Sequence, residues 1–209
     1  MAIDFARKAY SGRTPAIWRG ECKILPGGFK PKNTLSKGAV VPRGVLLEVD
    51  MDTMEAAVVK TAVVLDGGTT TKIRVAKGSL FAVGDTVMKV GTDNVSPTVT
   101  AVDTSNVAYD VITVSNAITG IAKDDVISEA TAYAPTGGGD GEDPIPAAPK
   151  YTPNACVGAD LEVKDKIDTL DAAYDALILK NAVPYAILPE WIDGGMCLKG
   201  NHSIKFIKQ

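Results

Sequence analysis

The sequence is poor in the side chains that most metal sites and acid–base catalysts need. Among its 209 residues are one histidine, His202, and three cysteines without a CxxC pair, Cys22, Cys156 and Cys197. A multi-histidine zinc or iron site cannot be built from one chain, so we predict no metal. The scattered cysteines are typical of reduced thiols, with one disulfide plus an odd thiol as the alternative. A reactive Cys197 thiol beside His202 is an open alternative to a structural cysteine.

Motifs for nucleotide binding and for nucleophilic catalysis are missing as well. No Gly-Lys dipeptide is present, which excludes a P-loop, and no GxSxG elbow is present either. The glycine triplet at residues 137–139 lacks the GxGxxG spacing. One acid–base alternative stays open, in which Glu190 and Asp193 flank Trp191. We predict that the protein is not an enzyme and needs no cofactor.

Long apolar runs are absent, and aromatic residues make up only 6% of the chain. No run approaches the roughly 20 residues that span a bilayer, and the start of the chain lacks a signal-peptide core. We therefore predict a soluble protein that is not exported by the standard route and has no membrane partner. A content of 45% hydrophobic and 22% charged residues is typical of globular proteins. Abundant Val, Thr, Ala and Gly favour small, twisted β structures.

Charge is distributed unevenly along the chain. The net charge is −3, which argues against a nucleic-acid partner, yet residues 1–33 carry seven Lys/Arg against Asp4 and Glu21. A basic segment of this kind can bind an acidic protein surface as readily as a phosphate backbone. Residues 1–33 also show neither helical nor strand periodicity. We predict an extended N-terminal arm that packs only against something else, with a disordered terminus as the alternative.

The rest of the sequence predicts a mainly β fold of small barrel or sandwich modules. We expect a base domain from residues 34–75 plus 151–209 and an inserted small β-barrel over residues 76–133. Asp66-Gly67-Gly68 predicts a hairpin turn, and the clearest hairpin has strands at 99–102 and 107–114 around a turn at 103–106. One six-residue turn pattern occurs three times, and its turn position must tolerate a positive φ. These turn positions are Gly38, Gly84 and Asp124.

Two further elements are predicted after residue 133. The Gly- and Pro-rich residues 134–150 are expected to form a linker or exposed loop. One short amphipathic helix is predicted near 160–180, capped by Asp160 and ended by Asn181 and Pro184. Its apolar face would comprise Val163, Ile167, Leu170, Tyr174 and Leu177. The stretches AVPYAIL and HSIKFIKQ that follow are predicted to be closing strands.

Several stretches together form a recognisable pattern. A Gly-bounded entry to a β-domain, LPGGFKPKNTLSKGAVVPRGVLLEVD, is followed by EAAVVKTAVV. Far downstream, NAVPYAILPE looks like a partner strand that closes this domain, and the small inserted barrel lies between them. In these stretches the chain resembles the capsid decoration and head-fibre proteins of tailed bacteriophages. The resemblance covers residues 24–133 plus 181–209.

This resemblance implies a structural virion protein on the exterior of the capsid, made in the host cytoplasm. It would bind the major capsid protein as a homotrimer and stabilise the shell, and the inserted barrel would project outward, where it can contact host surfaces. The N-terminal arm of such proteins often adds a strand to the capsid protein. By position, residues 4–33 would take this role, with contacts from Arg7, Lys8, Arg13, Trp18 and Arg19.

A second interpretation stays open from the residues alone. The chain can instead be a baseplate or cell-surface module that binds carbohydrate. Tyr185 and Trp191 would then line the glycan site, because aromatic rings stack on sugar faces. Glycan binding by the isolated chain would separate the two interpretations.

Overall fold

The computed structural model describes residues 17–135, 143–164, 169–183 and 185–208. Within them the protein is mainly β and has several sheets, which confirms the predicted class. Its helical elements there are two 3₁₀ turns, Lys180–Ala182 and Pro189–Trp191. In this part of the chain no helix is long and apolar enough to cross a membrane.

Sixteen strands follow one another in the described residues. They are β1 (Lys23–Pro31), β2 (Val40–Val41), β3 (Leu46–Asp50), β4 (Glu55–Val58), β5 (Thr61–Val63), β6 (Lys72–Ala76), β7 (Val87–Lys89), β8 (Val99–Asp103), β9 (Tyr109–Val114), β10 (Val126–Glu129), β11 (Ala155–Val157), β12 (Leu161–Glu162), β13 (Leu170–Leu179), β14 (Ile192–Asp193), β15 (Cys197–Leu198) and β16 (Asn201–Ile207). Many are only two to five residues long. Stability must therefore come from packing between sheets more than from any one ladder.

The base unit is a closed sheet with an extension. Its strands run in the order β1-β4-β3-β11-β13, and β1 pairs with β13 to close the ring. The far half of β13 continues into β16, β15 and β14. One buried cluster belongs to the ring strands and includes Phe29, Leu47, Val58 and Leu170. A second cluster joins β13 to the extension and includes Ile178, Trp191, Ile204 and Phe206.

The inserted unit consists of two three-stranded sheets around a third buried cluster. The sheets are β5-β10-β7 and β6-β9-β8, and isolated bridges at Val64–Val75 and Thr86–Thr98 connect them. Ile73, Phe81, Ile112 and Ile127 are among the residues between them. The pairings of β5 and β6 place residues 61–76 with this unit. The change from one unit to the other therefore falls near residue 60 and not at 75.

The repeated turn has the predicted backbone at all three positions. Gly38, Gly84 and Asp124 have φ values of +80°, +95° and +69°. In each copy the next residue donates its N–H to the carbonyl three residues before it. These bonds run from Ala39 to Ser36, from Asp85 to Ala82 and from Asp125 to Ala122. The recurrence is a local turn geometry and not a repeated domain.

Both predicted hairpins are present. β8 and β9 pair antiparallel around residues 104–108, although the exposed Val107 lies in the loop and not in the second strand. In the other hairpin Leu65 donates its N–H to the Arg74 carbonyl, and Gly67 has a φ of +81°. The turn signals were sufficient here because the two strands of each hairpin are close in sequence.

The helix predicted near 160–180 is wrong over the described residues. Leu170–Leu179 is the ten-residue strand β13, which pairs with β1, β11 and β16. Asp160 caps no helix, because its carboxylate accepts the N–H of Arg43 at 2.8 Å. Ile167 and Pro184 lie outside the described residues. Hydrogen bonding to three neighbouring strands determines the conformation here, and it outweighs the helical spacing of apolar residues. Two of the residues in that spacing, Tyr174 and Leu177, are half-exposed in the strand.

Of the two predicted closing strands, only the second exists. HSIKFIKQ lies mostly in β16, whereas the described residues of AVPYAIL contain no strand. The strands that close the base are β1 and β13, so the expected role of NAVPYAILPE is also wrong.

The flanks of the Gly- and Pro-rich stretch run antiparallel and return to the inserted unit. Ala134 pairs with Ile145, and Ala130 pairs with Pro149. Ala147 is buried against Met88 and Ala130. Residues 136–142 lie outside the described part. The described part of residues 134–150 therefore packs on the fold on both sides of that gap.

Candidate partner-binding surface

The described part of the predicted arm is built into the base sheet. Arg19 donates its N–H to the Leu177 carbonyl at 2.8 Å, and Leu179 donates its N–H to the Ile17 carbonyl at 2.9 Å. Residues 23–31 then form β1. An arm that packs only against another molecule is thus wrong for residues 17–31. The edge of β13 needs hydrogen-bond partners for its N–H and C=O groups, and this segment provides them.

The opposite edge of the same segment has no described backbone partner. Trp18 lies opposite Ile178 in an antiparallel bridge. Since the bonds on both sides of this pair belong to Ile17 and Arg19, the N–H and C=O of Trp18 point away from β13. Among the described residues, Trp18 and residues 20–22 make no backbone hydrogen bond. This stretch, Trp18–Cys22, is named the free edge below.

An ion pair fixes the segment beside the free edge. Lys23 Nζ lies 2.7 Å from Asp175 Oδ2, and this hydrogen bond raises the pKa of Lys23. Glu21, Asp175 and His202 line a shallow depression next to it. Partial burial, with a smaller contribution from Asp175, raises the pKa of Cys22. A raised pKa lowers the thiolate fraction, so Cys22 is not an activated nucleophile.

The structure places two of the five predicted capsid contacts on this surface. Trp18 is half-buried against the base core, and the Arg19 side chain is exposed. Arg7, Lys8 and Arg13 lie outside the described residues. The structure therefore brings Trp18 and Arg19 together at the free edge, and the other three contacts stay predictions.

The two residues predicted for a glycan site have positions inside the fold. Trp191 is only 4% exposed and belongs to the base core, so it presents no open ring face. The hydroxyl of Tyr185 donates to the Gly78 carbonyl at 2.7 Å, which ties the base unit to the inserted unit. Burial raises the pKa of Tyr185, with a smaller contribution from Asp110.

The candidates for catalysis do not form a recognised constellation. His202 Nε2 lies 3.4 Å from Asp193 Oδ2, and both side chains are more than half exposed. No hydrogen bond between Cys197 and His202 occurs in the described part of the chain. Residues 17–135, 143–164, 169–183 and 185–208 contain no group of three His, Cys, Asp or Glu that could hold a metal. All three cysteines are free, and burial raises the pKa of Cys156.

The sequence interpretation missed a buried charge cluster at the junction of the units. Lys60 is fully buried, and its Nζ lies 2.6 Å from Asp85 Oδ2 and 3.8 Å from Glu129 Oε2. Lys150 Nζ lies 2.7 Å from the other oxygen of Glu129. Asn33 donates to Glu129 as well, at 3.2 Å. The one sequence signal was a lysine inside the apolar run AAVVKTAVV.

A second junction contact surrounds another buried acid. Asp110 is 1% exposed and accepts the N–H groups of Gly78 and Ser79 at 2.8 and 2.9 Å. Lys77 Nζ lies 2.9 Å from the same carboxylate. Because Tyr185 donates to the Gly78 carbonyl, this turn is held from both units. Its polar groups already have partners within the chain, so it is a structural contact.

The comparisons with known proteins leave every role to be inferred from the chain itself. No protein-family model, no curated protein and no solved structure matches the chain. Contacts, burial and charge are therefore the basis for the function proposed next.

Proposed function

We propose that the protein is a structural virion component that binds the outer surface of a tailed-bacteriophage capsid. The proposal rests on the free edge at Trp18–Cys22, where Arg19 is bonded to β13 and Trp18 and residues 20–22 make no backbone hydrogen bond among the described residues. Such an edge accepts an additional strand, and the backbone hydrogen bonds then supply affinity. The partner in this proposal is the major capsid protein.

The positive charge at and before the free edge determines which kind of surface it attracts. Arg7, Lys8 and Arg13 precede the free edge in sequence, and Arg19 lies within it. The sixteen residues before Ile17 can span roughly 50 Å when extended, enough to cross a neighbouring subunit. Positive groups of this density steer the chain to an acidic surface and raise the association rate.

The two-unit body suits a protein that must hold a fixed shape on a shell. The Lys60 cluster and the Tyr185–Gly78 hydrogen bond both connect the base to the inserted unit. In this proposal the base lies on the capsid and the inserted unit projects from it. Carbohydrate binding has less support, because Trp191 is buried and Tyr185 uses its hydroxyl within the chain.

We further propose that the protein assembles as a homotrimer at three-fold sites of the shell. Light scattering over a range of concentrations measures this directly. A trimer would have three times the 21.8 kDa mass of the chain. A strict monomer at all concentrations would contradict a preformed trimer and restrict assembly to the capsid surface.

Co-sedimentation with expanded capsids, assembled from the major capsid protein of the same virus, tests the proposed function. We expect the full chain to sediment with the capsids and a deletion of residues 1–16 to lose at least about tenfold in affinity, as for several lost charge contacts. A double charge reversal, Arg7→Glu with Lys8→Glu, should weaken binding similarly.

The matched control places the same reversal on the inserted unit, as Lys72→Glu with Lys123→Glu. Both lysines are exposed, and we expect this variant to bind like the original chain. If the full chain does not sediment with capsids, the function is wrong. If the deletion variant binds as well as the full chain, the function stands and the arm is not the contact.

A further inference from the structure

The Lys60 cluster contains three reactive groups in a row across three neighbouring backbone segments. Glu129 in β10 donates its N–H to the carbonyl of Lys60, which lies between β4 and β5, so these residues lie side by side on adjacent backbone segments. Ala130 donates its N–H to the Thr86 carbonyl, which places the segment containing Asp85 on the other side of β10. The acid in the middle therefore lies between an amine and a second acid.

Distances and burial put these groups within reach of one another. Lys60 Nζ lies 2.6 Å from Asp85 Oδ2 and 3.8 Å from Glu129 Oε2. The side chains of Lys60, Asp85 and Glu129 are 0%, 6% and 2% exposed. Lys60 also donates to the Thr34 carbonyl, and Ala82 donates its N–H to Asp85 Oδ2. These contacts hold the amine against one carboxyl group.

We propose that Lys60 and Asp85 condense to an amide, an isopeptide cross-link within the chain, with Glu129 as the proton carrier. The nitrogen of Lys60 forms a bond to Cγ of Asp85, and one C–O bond of Asp85 breaks. The net reaction converts an ammonium and a carboxylate into a neutral amide and one molecule of water. The atoms and charges of this reaction balance without an oxidant, a metal or an energy source.

Proton movements follow from the same geometry. The 2.6 Å hydrogen bond lets a proton pass from the Lys60 ammonium to the Asp85 carboxylate, which gives a neutral amine and a neutral acid. After attack, Glu129 accepts the second proton from the nitrogen and delivers it to the departing hydroxyl group. Glu129 therefore ends the reaction in the protonation state in which it began. Its distance to Nζ must shorten by a small side-chain movement during this step.

Exclusion of bulk water and close contact favour condensation of the pair. The side chains of Lys60 and Asp85 are 0% and 6% exposed. Groups held in contact have effective concentrations far above those in solution. The water molecule that the reaction releases moves from the buried site into the solvent. Lys150 and Asn33 hold Glu129 beside the reacting pair.

The chain contains a natural control for this proposal. Lys89 and Asp125 form an ion pair at 2.9 Å, and Ala122 donates its N–H to Asp125 as Ala82 does to Asp85. This second pair is 21% and 26% exposed, and no ion pair to a third acid is described for Lys89. Solvent and the missing proton carrier should leave Lys89 and Asp125 unlinked.

Intact-mass spectrometry of the purified full chain, followed by tryptic peptide mapping, tests the cross-link. We expect the folded chain to be lighter than its sequence by one water molecule, with Lys60 resistant to trypsin. Fragment spectra should join the peptides that contain Lys60 and Asp85, whereas the peptides with Lys89 and Asp125 remain separate.

Two conservative variants keep the test independent of misfolding. Lys60→Arg keeps the positive charge and Glu129→Gln keeps the shape, and circular dichroism verifies that each is folded. Both should have the full sequence mass. The proposal is overturned if the folded original chain has its full mass after prolonged incubation, or if Lys60→Arg shows the same loss of water.

Discussion

The two units differ in how their strands are drawn from the sequence. The inserted unit takes β5 to β10 from the continuous residues 61–129. The base takes its strands from two separated stretches, residues 23–58 and 155–207, and its closing pair joins Lys23 to Asp175 across 152 residues. Paired strands that are close in sequence have turn residues between them that predict the pairing, whereas paired strands that are distant in sequence have no such signal. The inserted unit could therefore be recognised locally, and the base could not.

The junction between the units gives the largest expected effect. Lys60→Ala should leave the Asp85 carboxylate buried without its nitrogen partner, whether that partner is an ammonium or the proposed amide, and lower the free energy of unfolding by about 3–5 kcal/mol. Denaturant unfolding measures this loss. Lys89→Ala removes the partly exposed pair with Asp125 and should lower the free energy of unfolding by less than about 1 kcal/mol. Equal losses would contradict the central role of the Lys60 cluster.

Truncation of a core residue in the inserted unit tests whether the units unfold together. Ile112 is fully buried, so Ile112→Ala should lower the free energy of unfolding by about 2–5 kcal/mol. Trp18 and Trp191 both report on the base core. If the junction couples the units, the tryptophan fluorescence midpoint should shift together with the circular dichroism midpoint. An unchanged fluorescence midpoint would show that the units unfold independently.

Substitutions at the repeated turn should change the free energy of unfolding by less, and in opposite directions at two of its copies. Gly84→Ala would place a side chain at a φ of +95° and should lower the free energy of unfolding by about 1–2 kcal/mol, although no atom lies within 4 Å of the new carbon. Asp124→Gly relieves a φ of +69° and should be neutral or slightly stabilising. Thermal melts of both variants provide the comparison. Losses of the same size in both would contradict the equivalence of the turns.

Tyr185 gives the smallest effect on stability and adds a dependence on pH. Tyr185→Phe removes the hydrogen bond to Gly78 and should lower the free energy of unfolding by about 0.5–1.5 kcal/mol. Burial raises the pKa of Tyr185 above the ordinary value of 10.0. The stabilisation is therefore complete below pH 10 and is lost as the pH rises through the raised pKa of the folded state.

Alkaline spectrophotometric titration of the folded chain checks this direction. Tyr185→Phe should remove a transition above pH 10 from the titration curve, and the difference between the two curves separates Tyr185 from Tyr151, whose pKa burial also raises. A difference curve with its midpoint at or below pH 10 would contradict the burial of Tyr185.

The wrong helix shows where a local pattern misleads. The sequence LDAAYDALIL buries Ala172, Ala173, Ala176 and Ile178, but alanines carry little apolar signal in a pattern search. The larger Tyr174 and Leu177 suggested a helical face, yet both are half-exposed in the strand. Pairing with β1, β11 and β16 decides the structure, and those strands are distant in sequence.

The candidate surface could be anticipated only in part. Basic composition pointed to the N-terminal region, and Trp18 and Arg19 do lie at an edge. The pairing of residues 17–31 with β13 was not predictable, because nothing in the arm identifies its partner strand. Lys60 could be seen as a lysine inside an apolar run, but its acids are 25 and 69 residues away in the chain.

Hydrogen exchange of the full chain, free and bound to expanded capsids, tests the proposed docking edge most directly. We predict that the amides of Trp18 and residues 20–22 exchange slowly only in the bound state, because an added strand supplies acceptors. The amide of Arg19 already donates to Leu177 and should change little. Unchanged exchange across Trp18–Cys22 while the chain remains bound would contradict the account.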